Sequence, residues 1–222
     1  MSKLLQHITQ TKTEREEVRG TSSNTSAKGA FYKMCIHYVI QGYKRAITFG
    51  ILTLVDEEDI SDLLVTHTEF CLEEDGISVD VDAERRDRTI PVDGKSVRAK
   101  KRRRFDFVFK SFERPTMREM FTAEAKILKL NDKDLMKKYI SEKGMRKYIN
   151  QVYKKPGFMI GYVKEGVVNE IIVKLNEVIT VDSTYKATEK LFLQNPIGSY
   201  LHFYKSEHEN INLDHLMLNF VT

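Results

Sequence analysis

Apolar residues in this chain gather in short runs whose period changes along the sequence. Phe31–Ile40 and Ala46–Val55 are rich in β-branched and aromatic residues and flank Gln41-Gly42, a pattern that predicts a β-hairpin. Asp56–Leu64 opens with acids that suit the N-terminus of a helix. Ile77, Val79 and Val81 alternate with Ser78, Asp80 and Asp82, as on a half-buried strand. Phe105, Phe107 and Phe109 repeat the alternation, with Asp106, Val108 and Lys110 on the opposite face. Between these strands, Glu84–Lys101 is too charged for a core and contains the turn pair Asp93-Gly94, so it is expected as an exposed loop or extended hairpin.

Thr116 and Glu119 have capping-box spacing after Pro115, which predicts a helix running to Leu130. Asn131 or Asp132 would cap a second helix reaching about Val152, with Pro156-Gly157 closing the insert. Phe158–Val163 and Val167–Leu175 then flank the compact connection Lys164-Glu165-Gly166. Val178–Asp182, Leu191–Leu193, Tyr200–Tyr204 and Leu216–Val221 complete the expected strands. Gly20–Gly29 is rich in Ser, Thr and Asn and reads as linker. The expected fold is α+β and mostly β, a sandwich or barrel-like antiparallel sheet with a short two-helix insert. Residues 1–30 form a flexible N-terminal arm, and residues 31–222 a single core domain with a basic loop over 85–104 and a helical insert over 116–152.

Charge changes this picture more than composition does. The 222 residues are 41% hydrophobic and 31% charged, which suits one folded core, and the net charge is only +4. Yet Ala46–Glu84 holds no Lys or Arg and twelve acids, after which the sign reverses through Arg85–Arg104. Like-charge runs of this kind are commonly interaction segments. Arg98, Lys100, Lys101, Arg102, Arg103 and Arg104 form the densest positive block, and Lys100–Arg103 fits a short nuclear-import pattern. Lys137, Lys138, Arg146 and Lys147 offer a second basic surface. Each such cation can neutralise a phosphate or contribute on the order of 1 kcal/mol at an anionic bilayer. Glu73, Glu74, Asp75, Asp80 and Asp82 are the acidic counterpart through which copies would meet head to tail.

Catalytic motifs add little. The six histidines are scattered, and the chain has no H-E-x-x-H, paired C-x-x-C, G-x-x-x-x-G-K-[ST], G-x-G-x-x-G or G-x-S-x-G. Two cysteines, Cys35 and Cys71, suit a reducing compartment. Neither a signal-peptide h-region nor a run of roughly 20 apolar residues is present, so an intracellular location in cytoplasm, nucleus or virion is expected. Asp80 and Asp82 share a strand face and could hold Mg²⁺ as nuclease carboxylates do, with Glu69, Glu73 and Lys110 at no diagnostic spacing. The phenylalanines after the basic block could stack on unpaired bases, although their spacing favours core.

The polar arm Met1–Gly29, the basic block Arg98–Arg104 and the flanking strands resemble, in general build, the matrix proteins of negative-strand RNA viruses such as rhabdoviruses. The chain has no Pro-Pro-x-Tyr or Pro-Thr-Ala-Pro motif. The resemblance implies a non-enzymatic, self-associating structural protein without cofactor or metal. Its partners would be further copies of itself, nucleic acid or nucleoprotein, an anionic membrane surface and the nuclear-import machinery. A jelly-roll-derived capsid or movement protein is the second reading, and a metal-dependent nuclease the third.

Overall fold

The computed structural model describes residues 24–49, 53–86, 104–111, 120–153 and 156–221. The chain divides into two compact units, residues 1–36 and 37–222. In the first, helix α1 (Asn24–Ile47) begins, with Phe31, Cys35 and Ile36 buried. The helix continues into the second unit, which holds the other described elements.

Seven strands form one mixed sheet in the order β1-β2-β3-β4-β7-β6-β5, so the fold is α+β. β2 (Arg104–Ser111) runs antiparallel to both of its neighbours, β1 (Val79–Arg86) and β3 (Met120–Lys129). β4 (Gly157–Glu165) is parallel to both β3 and β7 (Asn212–Asn219). β5 (Phe192–Leu193) and β6 (Phe203–Glu207) close the other edge antiparallel. Parallel neighbours require crossovers. From β3 to β4 the chain crosses through α3 (Lys133–Ile140) and α4 (Arg146–Ile149), and from β4 it enters α5 (Val168–Val181).

Alternation within the strands supplies a core on each face of the sheet. Val108, Leu128, Met159, Val163 and Met217 pack with Met136, Tyr139 and Tyr148 of α3 and α4 and with Ile171, Leu175 and Ile179 of α5. The opposite face carries Phe107, Phe109, Phe158, Tyr162 and Phe220 in ring contact. Helix α2 (Glu57–Glu74) packs over β1, β2 and β3, and its buried Ser61 meets the Tyr162 hydroxyl at 2.9 Å. Phe107 and Phe109 are therefore core, as their spacing favoured.

Several elements differ from expectation, and the period of burial explains most of them. The hairpin expected over 31–55 is, as far as Ile47, helix α1, in which Cys35, Tyr38, Val39, Tyr43 and Ala46 recur at three- and four-residue steps, and residues 50–52 lie outside the described residues. Gly42 is no turn residue; a Cβ there would stand 2.4 Å from Thr68 Oγ1, so glycine permits the approach of α1 to α2. The strands expected over 167–175 and 178–182 are α5, whose buried Val168, Ile171, Ile172, Leu175 and Ile179 make one helical stripe despite their β-branching. Conversely, the expected helix reaching Leu130 is, from Met120 onward, the central strand β3. The second helix of the insert divides into α3, capped by Asp132 through the amides of Asp134 and Leu135, and the short α4. Residues 24–30 of the expected arm are helical; residues 1–23 and 87–103 lie outside the described residues.

A buried polar chain crosses the second half of the sheet. The Tyr139 hydroxyl meets His215 Nδ1 at 2.9 Å, and Ser206 Oγ lies 2.8 Å from both His215 Nε2 and His208 Nε2. Glu189 Oε1 is 3.1 Å from His208 Nδ1. Burial, then the neighbouring His208, pushes the His215 pKa down to about 3; burial lowers that of His208 against the pull of Glu189. The unfolded chain therefore takes up these protons first. Stability is full above the ordinary histidine range and should fall from pH 6.5 towards 3, by up to about 1.4 kcal/mol per pH unit for each imidazole kept neutral. Urea unfolding between pH 7 and pH 4 checks this: His215→Gln should flatten the slope, and an unchanged slope would refute the assignment.

Candidate active site

Pairing between β2 and β3 extends from Lys110–Met120 to Phe107–Ala123. Beyond that point β2 stays with β1 as far as Arg104, while β3 follows β4 to Lys129. The parting leaves amides of β3 without ladder partners on the β2 side, and a buried N–H must find an acceptor. Asp106 Oδ2 accepts from the Ala125 amide at 2.7 Å, and Glu57 Oε2 from the Ile127 amide at 3.2 Å. Glu57 reaches this place from the first turn of α2, where its charge also suits the helix dipole.

The parting opens a cleft of about 300 Å³ lined by Glu57, Glu58, Ser61, Asp106, Glu124, Lys126, Lys143 and Lys147. Glu124 and Lys126, two residues apart on β3, are the centre of its chemistry. The Lys126 ammonium lies 2.7 Å from Glu57 Oε1, 3.0 Å from Glu124 Oε1 and 3.5 Å from Asp106 Oδ2. The side chain of Glu124 is 1% exposed, and its Oε1 also accepts from Lys147 Nζ. Its Oε2 accepts from the Tyr153 hydroxyl at 2.7 Å.

Burial, then the charge of Asp106, raises the Glu124 pKa even though Lys126 and Lys147 pull it down. For Lys126, burial alone would lower the pKa, but Asp106, Glu124 and Glu57 outweigh it and hold the ammonium above its ordinary range. The site is an array of opposed charges at the edge of the core. Among the described residues no three acidic, histidine or cysteine side chains form a ready cation cage; these carboxylates are gathered on an ammonium instead.

The residues expected from sequence are dispersed. Arg98, Lys100, Lys101, Arg102 and Arg103 lie outside the described residues, and Arg104 opens β2 opposite Arg86. Lys137 and Lys138 are exposed on the last turn of α3. Arg146 donates to the Tyr185 hydroxyl at 2.9 Å with its guanidinium 4.5 Å from the ring centroid, so it braces α4. Lys147 alone of that set faces the cleft. Glu73, Glu74 and Asp75 are exposed at the end of α2, where Glu74 pairs with Arg45 at 2.6 Å and Asp75 accepts from the Tyr38 hydroxyl at 2.7 Å. Asp80 and Asp82 both pair with Lys110, Asp80 at 2.9 Å, with roughly two-fifths of each carboxylate side chain in solvent.

Asp106, Glu124, Lys126 and Glu57 escaped the sequence reading, although Glu124-Ala125-Lys126 sets two opposite charges in an otherwise apolar stretch. A larger, shallow depression of about 480 Å³ bounded by Lys129, Asn131, Asp132, Lys133, Asp134 and Glu165 has no buried ionisable side chain, so water screens its charges. No helix among the described residues is long and apolar enough to cross a membrane. The difference in burial predicts different costs for removing the two central lysines. Lys126→Met should destabilise the fold by about 3 kcal/mol or more, because it removes the ammonium on which Glu57, Asp106 and buried Glu124 converge. Lys110→Met, against half-exposed acids, should cost about 1 kcal/mol. Equal midpoint shifts in urea would contradict the ranking. In comparisons with known proteins, no family model, curated protein or solved structure matches this chain.

Proposed function

We propose that this chain is a divalent-cation-dependent phosphodiesterase acting on nucleic acid, with Asp106 and Glu124 as cation ligands, Lys126 as the residue that handles the attacking water, and Glu57 as its support. The observation that carries this is the convergence of three carboxylates, one of them buried, on one lysine in a cleft that also presents Lys143 and Lys147. This is the third reading offered by the sequence, transferred from Asp80 and Asp82 to other residues.

The donor set fits the cation. Asp106 and Glu124 supply hard carboxylate oxygens, the preferred ligands of Mg²⁺, and among the described residues no histidine or cysteine lines the cleft. A cation held by Asp106 and Glu124 would polarise the phosphoryl group and offset the charge that develops on its oxygens during in-line displacement. The chain's own groups supply the rest. Engagement of Asp106 and Glu124 by a cation would remove two of the three charges that hold Lys126 up, leaving Glu57 alone against burial, which favours the neutral amine. In that form Nζ can accept a proton from the water whose oxygen bonds phosphorus as the P–O ester bond breaks. Glu57, fixed to the Ile127 amide, keeps Lys126 aimed into the cleft. Lys143 and Lys147 face the same space, where ammonium groups neutralise flanking phosphates.

Incubation of the full chain with plasmid DNA or single-stranded RNA and Mg²⁺ or Mn²⁺ tests the proposal. Cleavage should stop on chelation and fall on the order of 100-fold or more in Asp106→Asn and Glu124→Gln. Asp80→Asn should leave it unchanged. Absence of cleavage under all of these conditions, or activity that survives Glu124→Gln, would contradict the assignment.

A further inference from the structure

We infer that Lys147 is a phosphate-operated latch on Glu124: nucleic acid draws it off the carboxylate, so that nucleic acid and cation bind cooperatively. This rests on the function proposed above and names the residue that couples its two ligands.

Oε1 of Glu124 does not stand ready for a cation. It is shared by Lys126 and Lys147, while Oε2 accepts from Tyr153. With both lone pairs of Oε1 engaged, a divalent ion can bond to that oxygen only when one of its ammonium partners leaves. Tyr153 is 4% exposed and packed edge-on against Tyr148, with ring centroids 5.2 Å apart. Lys126 sits two residues away on the same strand and is tied to Glu57 at 2.7 Å. Lys147 differs from both. It comes from the short α4, keeps about a fifth of its side chain in solvent and lines the cleft mouth with Lys143. Its neighbour Arg146 is braced on Tyr185, so the Lys147 side chain can swing without carrying α4 with it.

Charge fixes the direction of the exchange. With Lys147 in place, an arriving dication meets two ammonium groups at one carboxylate. A phosphate in the cleft offers Lys147 an alternative anion, and the vacated Oε1 then suits the cation. Because coupling between two ligands is reciprocal, cation must in turn strengthen nucleic-acid binding.

Calorimetric titration of Mn²⁺ into the full chain, with and without a phosphorothioate duplex that resists cleavage, tests the latch. Wild type should bind Mn²⁺ at least about tenfold more tightly with the duplex, the scale of a charge-assisted hydrogen bond released from Glu124. Lys147→Met should bind Mn²⁺ about tenfold more tightly than wild type without duplex and gain nothing from it. Lys147→Arg, which keeps a cation beside Glu124, should behave as wild type. Equal Mn²⁺ affinity of Lys147→Met and wild type without duplex, or Lys147→Arg matching Lys147→Met, overturns the latch. Glu124→Gln separates the two levels of failure. If it weakens Mn²⁺ binding while Lys147→Met changes nothing, the latch fails and the cation site stands; if it leaves binding unaltered, both fall.

Discussion

Two backbone amides, those of Ala125 and Ile127, lie where β3 has lost β2 as a ladder partner, and they need acceptors. Asp106 and Glu57 provide them with carboxylates rather than carbonyls. That substitution imports two negative charges to the edge of the core. Lys126 answers them from the same strand, and buried Glu124 joins the set. The divergence of two strands is thus the constraint from which the cleft and its charges follow. A fully zipped β2–β3 ladder would satisfy the amides and leave no room for chemistry.

The surrounding fold serves to hold that divergence open. β3 can leave β2 because its other edge is secured by parallel β4 along most of its length. Helix α2 brings Glu57 in from one face through the Ser61–Tyr162 contact and its buried Ile60 and Leu64. The crossover through α3 and α4 brings Lys143 and Lys147 to the cleft and sets Lys147 and Tyr153 on Glu124. Buried charge of this kind is expensive unless paired. Its concentration at one cleft, against two well-packed apolar faces elsewhere, supports a functional rather than a structural role.

Strands were legible in the sequence: β1 and β2 stand close to where alternation put them, β4 and β7 overlap the apolar runs expected as strands, and the α+β class follows from the same runs. Helices rich in β-branched residues were not. In α1 and α5, propensity pointed to strand while the three- and four-residue steps of burial pointed to helix, and packing decided. The site was missed for a related reason. Reading the stretch through Leu130 as a helix placed Glu124 and Lys126 on different faces, whereas on a strand residues two apart share one. Asp106 is legible on the face opposite Phe107, but Glu57, which shares Lys126 with it, is 49 positions earlier in the chain and visible only in three dimensions. Of the charge reversal, Glu74 pairs with Arg45, Asp80 and Asp82 pair with Lys110, and Glu57 enters the cleft, while most of the basic half lies outside the described residues.

Whether the cleft is built for a cation can be read directly by anomalous diffraction from a crystal soaked in Mn²⁺. The account predicts a strong peak bonded to carboxylate oxygens of both Asp106 and Glu124, with Lys147 displaced from Glu124. A crystal with no peak in the cleft at millimolar Mn²⁺, or with its peak on Asp80 and Asp82 beside an intact Lys147–Glu124 pair, would contradict it.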